Sequence, residues 1–197
     1  MRILHISDTH NQHHLLHDLP DADIIVHSGD MSENGTEDEV LDFLNWFEKL
    51  PYTYKIFIAG NHDTCLCGES IEGLSANCFY LCNSEVVIEG VKFYGMPLFM
   101  EDILSGEYNK NIRKIPKDVD VLITHHPPYG ILDFADGSNF GCLNLLQFVS
   151  KNSPKYHLFG HVHANYGMAK SRQTTFVNAS VLGVNYQLSN KPVLLEL

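Results

Sequence analysis

Basic side chains are scarce in this 197-residue sequence: 13 lysines and arginines stand against 24 aspartates and glutamates, for a formal net charge of −11. That balance repels a polyphosphate backbone, so non-specific binding is excluded as a default and no nucleic-acid polymer is expected as partner. Only three arginines occur, Arg2, Arg113 and Arg172, which leaves few forked donors for a phosphate dianion. Long apolar runs are missing too. Met1 to Asp8 is too short for a signal peptide, and no later segment approaches the roughly 18 apolar residues of a membrane span, so no membrane association is expected. Without linkers, repeats or low-complexity tracts the chain reads as a single domain over 1–197. Cysteines are few and odd in number (Cys65, Cys67, Cys78, Cys82, Cys142), which points to a reducing, cytoplasmic setting. Cys65-x-Cys67 and Cys78-x3-Cys82 make poor zinc arms and read as buried or loop thiols.

What is present is a core and an excess of imidazole. At 44% hydrophobic and 19% charged the chain is globular. Twelve histidines exceed the roughly 2% usual for a globular chain more than twofold, which brings metal or proton chemistry forward. Short β-branched runs at Ile3–Ser7, Asp23–Ser28, Lys55–Ala59, Val119–Thr124 and His157–Phe159 predict strands. Ile24-Ile25-Val26 and Val121-Leu122-Ile123 are continuous rather than alternating, as in strands buried on both faces. Val86–Glu89 and Val91–Tyr94 predict a hairpin about Gly90, and Thr174–Asn178 and Pro192–Leu197 predict further strands. Thr36-Glu37-Asp38-Glu39 is a capping box before Val40, Phe43, Leu44 and Phe47, so a helix is expected to end near Leu50-Pro51. A second is expected from Cys142 to Asn152, and a short one around His14–Leu19. Met100–Lys117 reads as an irregular surface excursion near the site.

The polar residues that end the strands form ordered groups: Asp8-x-His10, Gly29-Asp30, Gly60-Asn61-His62-Asp63, Thr124-His125-His126 and Gly160-His161-x-His163. Each lies just past the C-terminal end of a predicted strand, where α/β sheets gather ligands. Carboxylates, an amide carbonyl and imidazoles together suit a borderline divalent cation. Asp8 with His10, and His161 with His163, are i, i+2 pairs that an extended backbone turns to one side. Such a set suits two cations sharing a bridge, with the two oxygens of Asp30 as the natural bridge. Gly29, Gly60 and Gly160 are expected to turn the backbone sharply beneath the ligands.

In this order the blocks D-x-H, G-D, G-N-H-D, H and G-H-x-H resemble the five-block signature of the calcineurin-like metallophosphoesterase superfamily. Val121–Gly130, Phe159–Gly167 and Phe176–Ser180 are similar to a small subfamily of metallophosphoesterase-domain proteins. The resemblance implies an α/β fold, a two-sheet β-sandwich flanked by helices in four layers (αββα). It implies two divalent metal ions, manganese foremost and iron, zinc, nickel or magnesium otherwise. One metal would take Asp8, His10, Asp30 and His163, the other Asp30, Asn61, His125 and His161. His62 would stay unligated as acid for the leaving oxygen, with Glu33 in place of the aspartate that orients it. His126 is left as a candidate to line the pocket. Asn34 stands where phosphatase relatives carry an arginine, which weakens protein-phosphatase chemistry. The expected reaction is hydrolysis of a small phosphoester, a phosphodiester first and cyclic nucleotides among them, by a hydroxide bridging the two ions. The alternatives are a phosphomonoesterase or protein phosphatase, and a metal-binding interaction module of low turnover.

Overall fold

A computed structural model describes residues 1–197. Its first sheet runs β13 (Val193–Glu196), β1 (Arg2–Ile6), β2 (Ile24–His27), β3 (Tyr54–Phe57), β4 (Cys78–Tyr80). The second runs β11 (Gly167–Ser171), β12 (Thr174–Asn178), β10 (Tyr156–Phe159), β7 (Val121–Thr124), β6 (Val91–Met96), β5 (Ser84–Ile88). Within the first sheet β1 to β4 are parallel, with Ile3 opposite Ile24 and Ile24 opposite Tyr54. In the second, β6, β7, β10 and β12 are parallel. Phe134–Ala135 (β8) and Ser138–Asn139 (β9) form a separate two-stranded hairpin.

Alternation along each strand sorts the apolar side chains into three layers. Ile3, Ile24, Val26 and Ile56 from one sheet meet Phe93, Val121, Ile123, Leu158 and Val177 from the other. On the outer face of the first sheet, Leu4, Ile6, Ile25 and Phe57 pack under Val40, Phe43, Leu44 and Phe47 of α1 (Glu37–Phe47). The outer face of the second, with Tyr94, Leu122, Phe159 and Phe176, is covered by Tyr108 and Ile112 of α3 (Glu107–Lys114) and Leu145 and Val149 of α4 (Leu143–Asn152). The result is the helix–sheet–sheet–helix sandwich the sequence implied. It also explains the continuous apolar runs, since β2 and β7 are buried at every residue.

The capping box forms: Thr36 Oγ1 accepts from the Glu39 amide while the Glu39 carboxylate accepts from the Thr36 amide. The helix stops at Phe47, short of Leu50-Pro51. Two expectations are corrected. His14–Leu19 yields only a single 3₁₀ turn, His13–Leu15. Met100–Lys117 is not irregular but carries α2 (Met100–Ser105) and α3, divided at Gly106, whose φ is +79°. No helix is long and apolar enough to cross a membrane.

Three histidines serve this core. His5 Nε2 lies 2.8 Å from Ser28 Oγ and His157 Nε2 2.9 Å from Thr124 Oγ1. His27 accepts the Gly29 amide at Nδ1, so its Nε2 donates to Thr9 Oγ1 at 3.0 Å. Burial pulls each from 6.5 down to about 3. Below pH 6.5 the unfolded chain therefore takes up protons that the folded chain refuses. Stability present above that pH is lost on acidification, by up to about 1.4 kcal/mol per pH unit for each histidine. Urea unfolding of the metal-free protein is expected to show a steep loss between pH 6.5 and 5, and a flat profile would contradict this account of the core.

Candidate metal centre

Both sheets aim the C-terminal ends of their parallel strands at one edge of the sandwich. Asp8 follows β1, Asp30 follows β2, Asn61 to Asp63 follow β3, His125 follows β7, and His161 and His163 follow β10. At this edge the sheets are stitched together, the Ser7 amide donating to Ala179 O and the Val181 amide to Ser7 O. The ligand loops then bend sharply: Asp8, His10, Asp30 and His161 have φ of 56°, 37°, 56° and 70°, a conformation that costs a non-glycine residue about 1–3 kcal/mol. Of the three glycines expected to turn the chain, Gly29 does so, at φ 103°. Gly60 and Gly160 serve a different end, because a Cβ there would collide with the carboxylates of Asp30 and Asp8 respectively.

The candidate ligands converge. Donor atoms of Asp8, His10 and His163 lie within 4.8 Å of one another, as do those of Asp30, His125 and His161. Asp8 Oδ1 is 3.4 Å from His163 Nε2, and Asp30 Oδ2 is 3.1 Å from His125 Nε2 and 3.8 Å from His10 Nε2. His62 joins His10 and Asp30 in a third such group, its ring centroid 4.7 Å from that of His10.

Ring orientation is set from behind. His10, His62, His125 and His163 each place Nδ1 on a backbone carbonyl, those of Ser32, Glu33, Ser28 and Gly183, at 2.8 to 3.3 Å. A carbonyl only accepts, so each Nδ1 carries a proton and Nε2 is the nitrogen left for the centre, as second-shell contacts arrange for metal-ligating imidazoles. His10 Nε2, His125 Nε2 and Asn61 Oδ1 are buried with no hydrogen-bond partner. These orphaned donor atoms, aimed at buried carboxylates, are what a pair of divalent cations would satisfy. Without cations the charge is balanced by protons. Burial opposes the charge on His125, yet Asp30 and Asp8 raise it to about 9. His163 is likewise raised against burial by its contact with Asp8. Burial also works against Asp8 and Asp30, but the surrounding histidines hold both below the ordinary carboxylate range. His161 goes the other way, lowered to about 3 by burial and then by His125 and His126.

Three supporting residues escaped the sequence reading. Asp63 is fully buried and accepts from the amides of Gly60, Asp30, Met31 and Ser32 and from Ser32 Oγ, clamping the Asp30 turn. Ser180 Oγ donates to Asp8 Oδ2 at 2.8 Å, and Asn178 Nδ2 donates to Val162 O between His161 and His163. Only the Asp in Gly60-Asn61-His62-Asp63 carried a local signal; the other two act across the sandwich. Glu33 needs a correction. Its backbone carbonyl, not its carboxylate, holds His62, while the half-exposed carboxylate sits 3.2 Å from His10 Nδ1. The chain turns at Glu33 so that the carbonyl faces inward and the side chain faces the rim. His126 is partly buried, donating from Nε2 to Phe140 O. The adjoining cavity, about 430 Å³, is lined instead by His161, His163, Phe140, Val162, Val184 and Tyr186, with Ala135, Asp136 and Ala164. Tyr186 lies 4.8 Å from the His163 ring and 5.2 Å from His10.

Residues 1–165 match the family model described as calcineurin-like phosphoesterase. The chain is 35% identical to metallophosphoesterase domain-containing protein 1 of Homo sapiens, over all of this chain and 71% of that protein. It is 31% identical to a UPF0046 protein of Caenorhabditis elegans, over 98% of this chain and 74% of the relative. Among solved structures, the GAP50 anchor in the inner membrane complex of Plasmodium aligns with a TM-score of 0.53 at 12% identity, over 92% of this chain and 71% of that one, a likeness of fold alone.

Because His125 holds a proton at neutral pH in the absence of cations, loading the centre must expel it. Calorimetry in buffers of different ionisation enthalpy is expected to show proton release at pH 7. Affinity should rise with pH by about tenfold per unit for each proton released, levelling only above pH 9. Affinity independent of pH would contradict this.

Proposed function

The chain belongs to the calcineurin-like phosphoesterase family, and we propose that it is a dinuclear hydrolase that prefers phosphodiesters to phosphomonoesters. The reading is carried by one observation: the carbonyl-anchored imidazoles of His10 and His125 present unpaired Nε2 atoms to two buried carboxylates beside a walled cavity. Asp8, His10, Asp30 and His163 would hold one cation, and Asp30, Asn61, His125 and His161 the other, manganese being the first candidate. When bound, two such cations activate a water and neutralise the oxygens of an in-line phosphoryl displacement. The chain's residues do the rest. Asp30 is shared between the sites and fixed by Asp63. His62, with Nδ1–H committed to Glu33 O, can present Nε2–H to the leaving oxygen only as imidazolium, which makes it a proton donor. The apolar walls, Phe140, Val162, Val184 and Tyr186, suit an organic substituent on phosphorus, and a cyclic nucleotide is one such ester. The five free thiols support a cytoplasmic setting.

The preference for diesters rests on charge. A monoester near pH 7 carries close to two negative charges and a diester one. No lysine or arginine lines the cavity. Arg172 donates to Ser150 O, and Arg113 lines a groove between α3 and α4. Asn34, at the position of the family's arginine, is spent on the Glu39 carboxylate.

Three outcomes follow. For matched aryl substrates at saturating manganese, kcat/KM should favour the diester. A monoester advantage of tenfold, about 1.4 kcal/mol in transition-state binding, would overturn the preference. Equal inactivity toward both would leave only the interaction-module reading. His62→Ala should keep its metal but lose roughly 10²–10⁴ in rate, least with a good leaving group. Glu33→Ala, which leaves the carbonyl in place, should stay close to the parent. Metal loss in His62→Ala would make His62 a ligand instead.

A further inference from the structure

A second histidine cluster, just after the loop that carries Asp8 and His10, shares no residue with the centre. The 3₁₀ turn puts His13 and His14 against Asp42 of α1. His14 Nε2 is 3.0 Å and His13 Nε2 3.3 Å from the same oxygen, Asp42 Oδ2, and one donor atom from each of the three falls within 4.8 Å of the others. We propose that His13, His14 and Asp42 form a third cation site, distinct from the phosphoesterase centre, that takes a transition ion of the zinc type.

His13 carries the argument. Its side chain is fully buried, and neither ring nitrogen has a hydrogen-bond partner. A buried polar group left unmatched costs about 1–3 kcal/mol. The other buried histidines of the core each satisfy at least one nitrogen on a serine or threonine hydroxyl. The His13 ring is also immobilised, 5.6 Å from Phe43 edge-on, 5.1 Å from Trp46 and 4.2 Å from His14. Its Nε2 approaches Asp42 without hydrogen-bond alignment, whereas His14 and Asp42 are each about half exposed.

Two imidazole nitrogens and one carboxylate oxygen match the three-ligand set of open tetrahedral zinc sites. Bonds of about 2.0–2.1 Å in that geometry put neighbouring ligand atoms roughly 3.3 Å apart, close to the 3.3 and 3.0 Å that separate His13 and His14 from Asp42. The imidazole share disfavours magnesium and calcium, which prefer all-oxygen shells. His14 and Asp42 also line a cavity of about 340 Å³ with Asn45, Trp46, Lys49 and Leu50, which would leave a fourth position to water. An ion here would clip the loop bearing Asp8 and His10 to α1. The same joint is already bridged by Asn11, whose Nδ2 donates to Glu39 Oε1.

Trp46 is the sole tryptophan of the chain, and it borders the site. The test is a cobalt(II) titration of the metal-stripped full-length protein, read by Trp46 fluorescence, with zinc content measured in parallel. The parent should show saturable quenching that a chelator reverses. His14→Ala and Asp42→Asn should weaken the quenching constant by at least about tenfold, and each should carry one zinc fewer per chain than the parent. Both replaced side chains are about half exposed, and circular dichroism checks that the fold is retained. Asp30→Ala, which disables the other centre, should quench as the parent does. Quenching that survives in His14→Ala and Asp42→Asn, that is absent in the parent, or that disappears in Asp30→Ala would overturn the proposal.

Discussion

Three carboxylates, Asp8, Asp30 and Asp63, are sunk in the interior at the ends of β1, β2 and β3, and no lysine or arginine forms an ion pair with any of them. Burying unpaired charge is among the most expensive things a fold does, and much of the local structure answers that cost. Asp63 is met by five donors. Even so, burial first and then the charge of Asp30 raise it to about 6. Asp8 receives the His161 amide and Ser180 Oγ. Asp30 receives the His62 amide, and both lean on imidazoles whose hold on a proton they strengthen. The left-handed turns at Asp8, Asp30 and His161, and the missing side chains at Gly60 and Gly160, exist because the ligand loops crowd around these groups.

The sandwich makes that crowding possible. Parallel strands in both sheets end at one edge, and the join of Ser7 to Ala179 and Val181 brings ligands separated by more than 150 residues into one shell. Asp8 and His161 then touch through a main-chain hydrogen bond. Rigidity comes from the surrounding layers, with Phe43, Phe47 and Phe57 outside the first sheet, Phe93 between the sheets, and Phe159 and Phe176 outside the second. Shell and support are thus parts of one packing problem.

Much of this is legible in the sequence, for local reasons. Ile24-Ile25-Val26 and Val121-Leu122-Ile123 announce strands covered on both faces, and Thr36 with Glu39 announces the start of α1. The ligand blocks stand out because polar residues in that order at strand ends have no packing role. What stays hidden is non-local or weakly patterned. In α2 no residue is buried, and α3 buries only Tyr108, Asn111 and Ile112, so their apolar stripes are too short to stand out. The edge strand β11 reads Gly-Met-Ala-Lys-Ser and is largely exposed. Ser180, Asn178 and the inward carbonyl of Glu33 act through contacts that spacing along the chain does not encode. Glu33 shows the risk in substituting one acid for another by position, since the backbone supplies the contact expected of the side chain.

The central claim is that Asp30 is shared by two cations held between the sheets. Anomalous diffraction at the manganese edge, from crystals of the loaded protein, tests it directly. Within this centre the account predicts two peaks about 3.5–4 Å apart. One should be bound by Asp8, His10 and His163, the other by Asn61, His125 and His161, with a carboxylate oxygen of Asp30 reaching each and His62 bound to neither. A single peak, or a pair that Asp30 does not join, would contradict it.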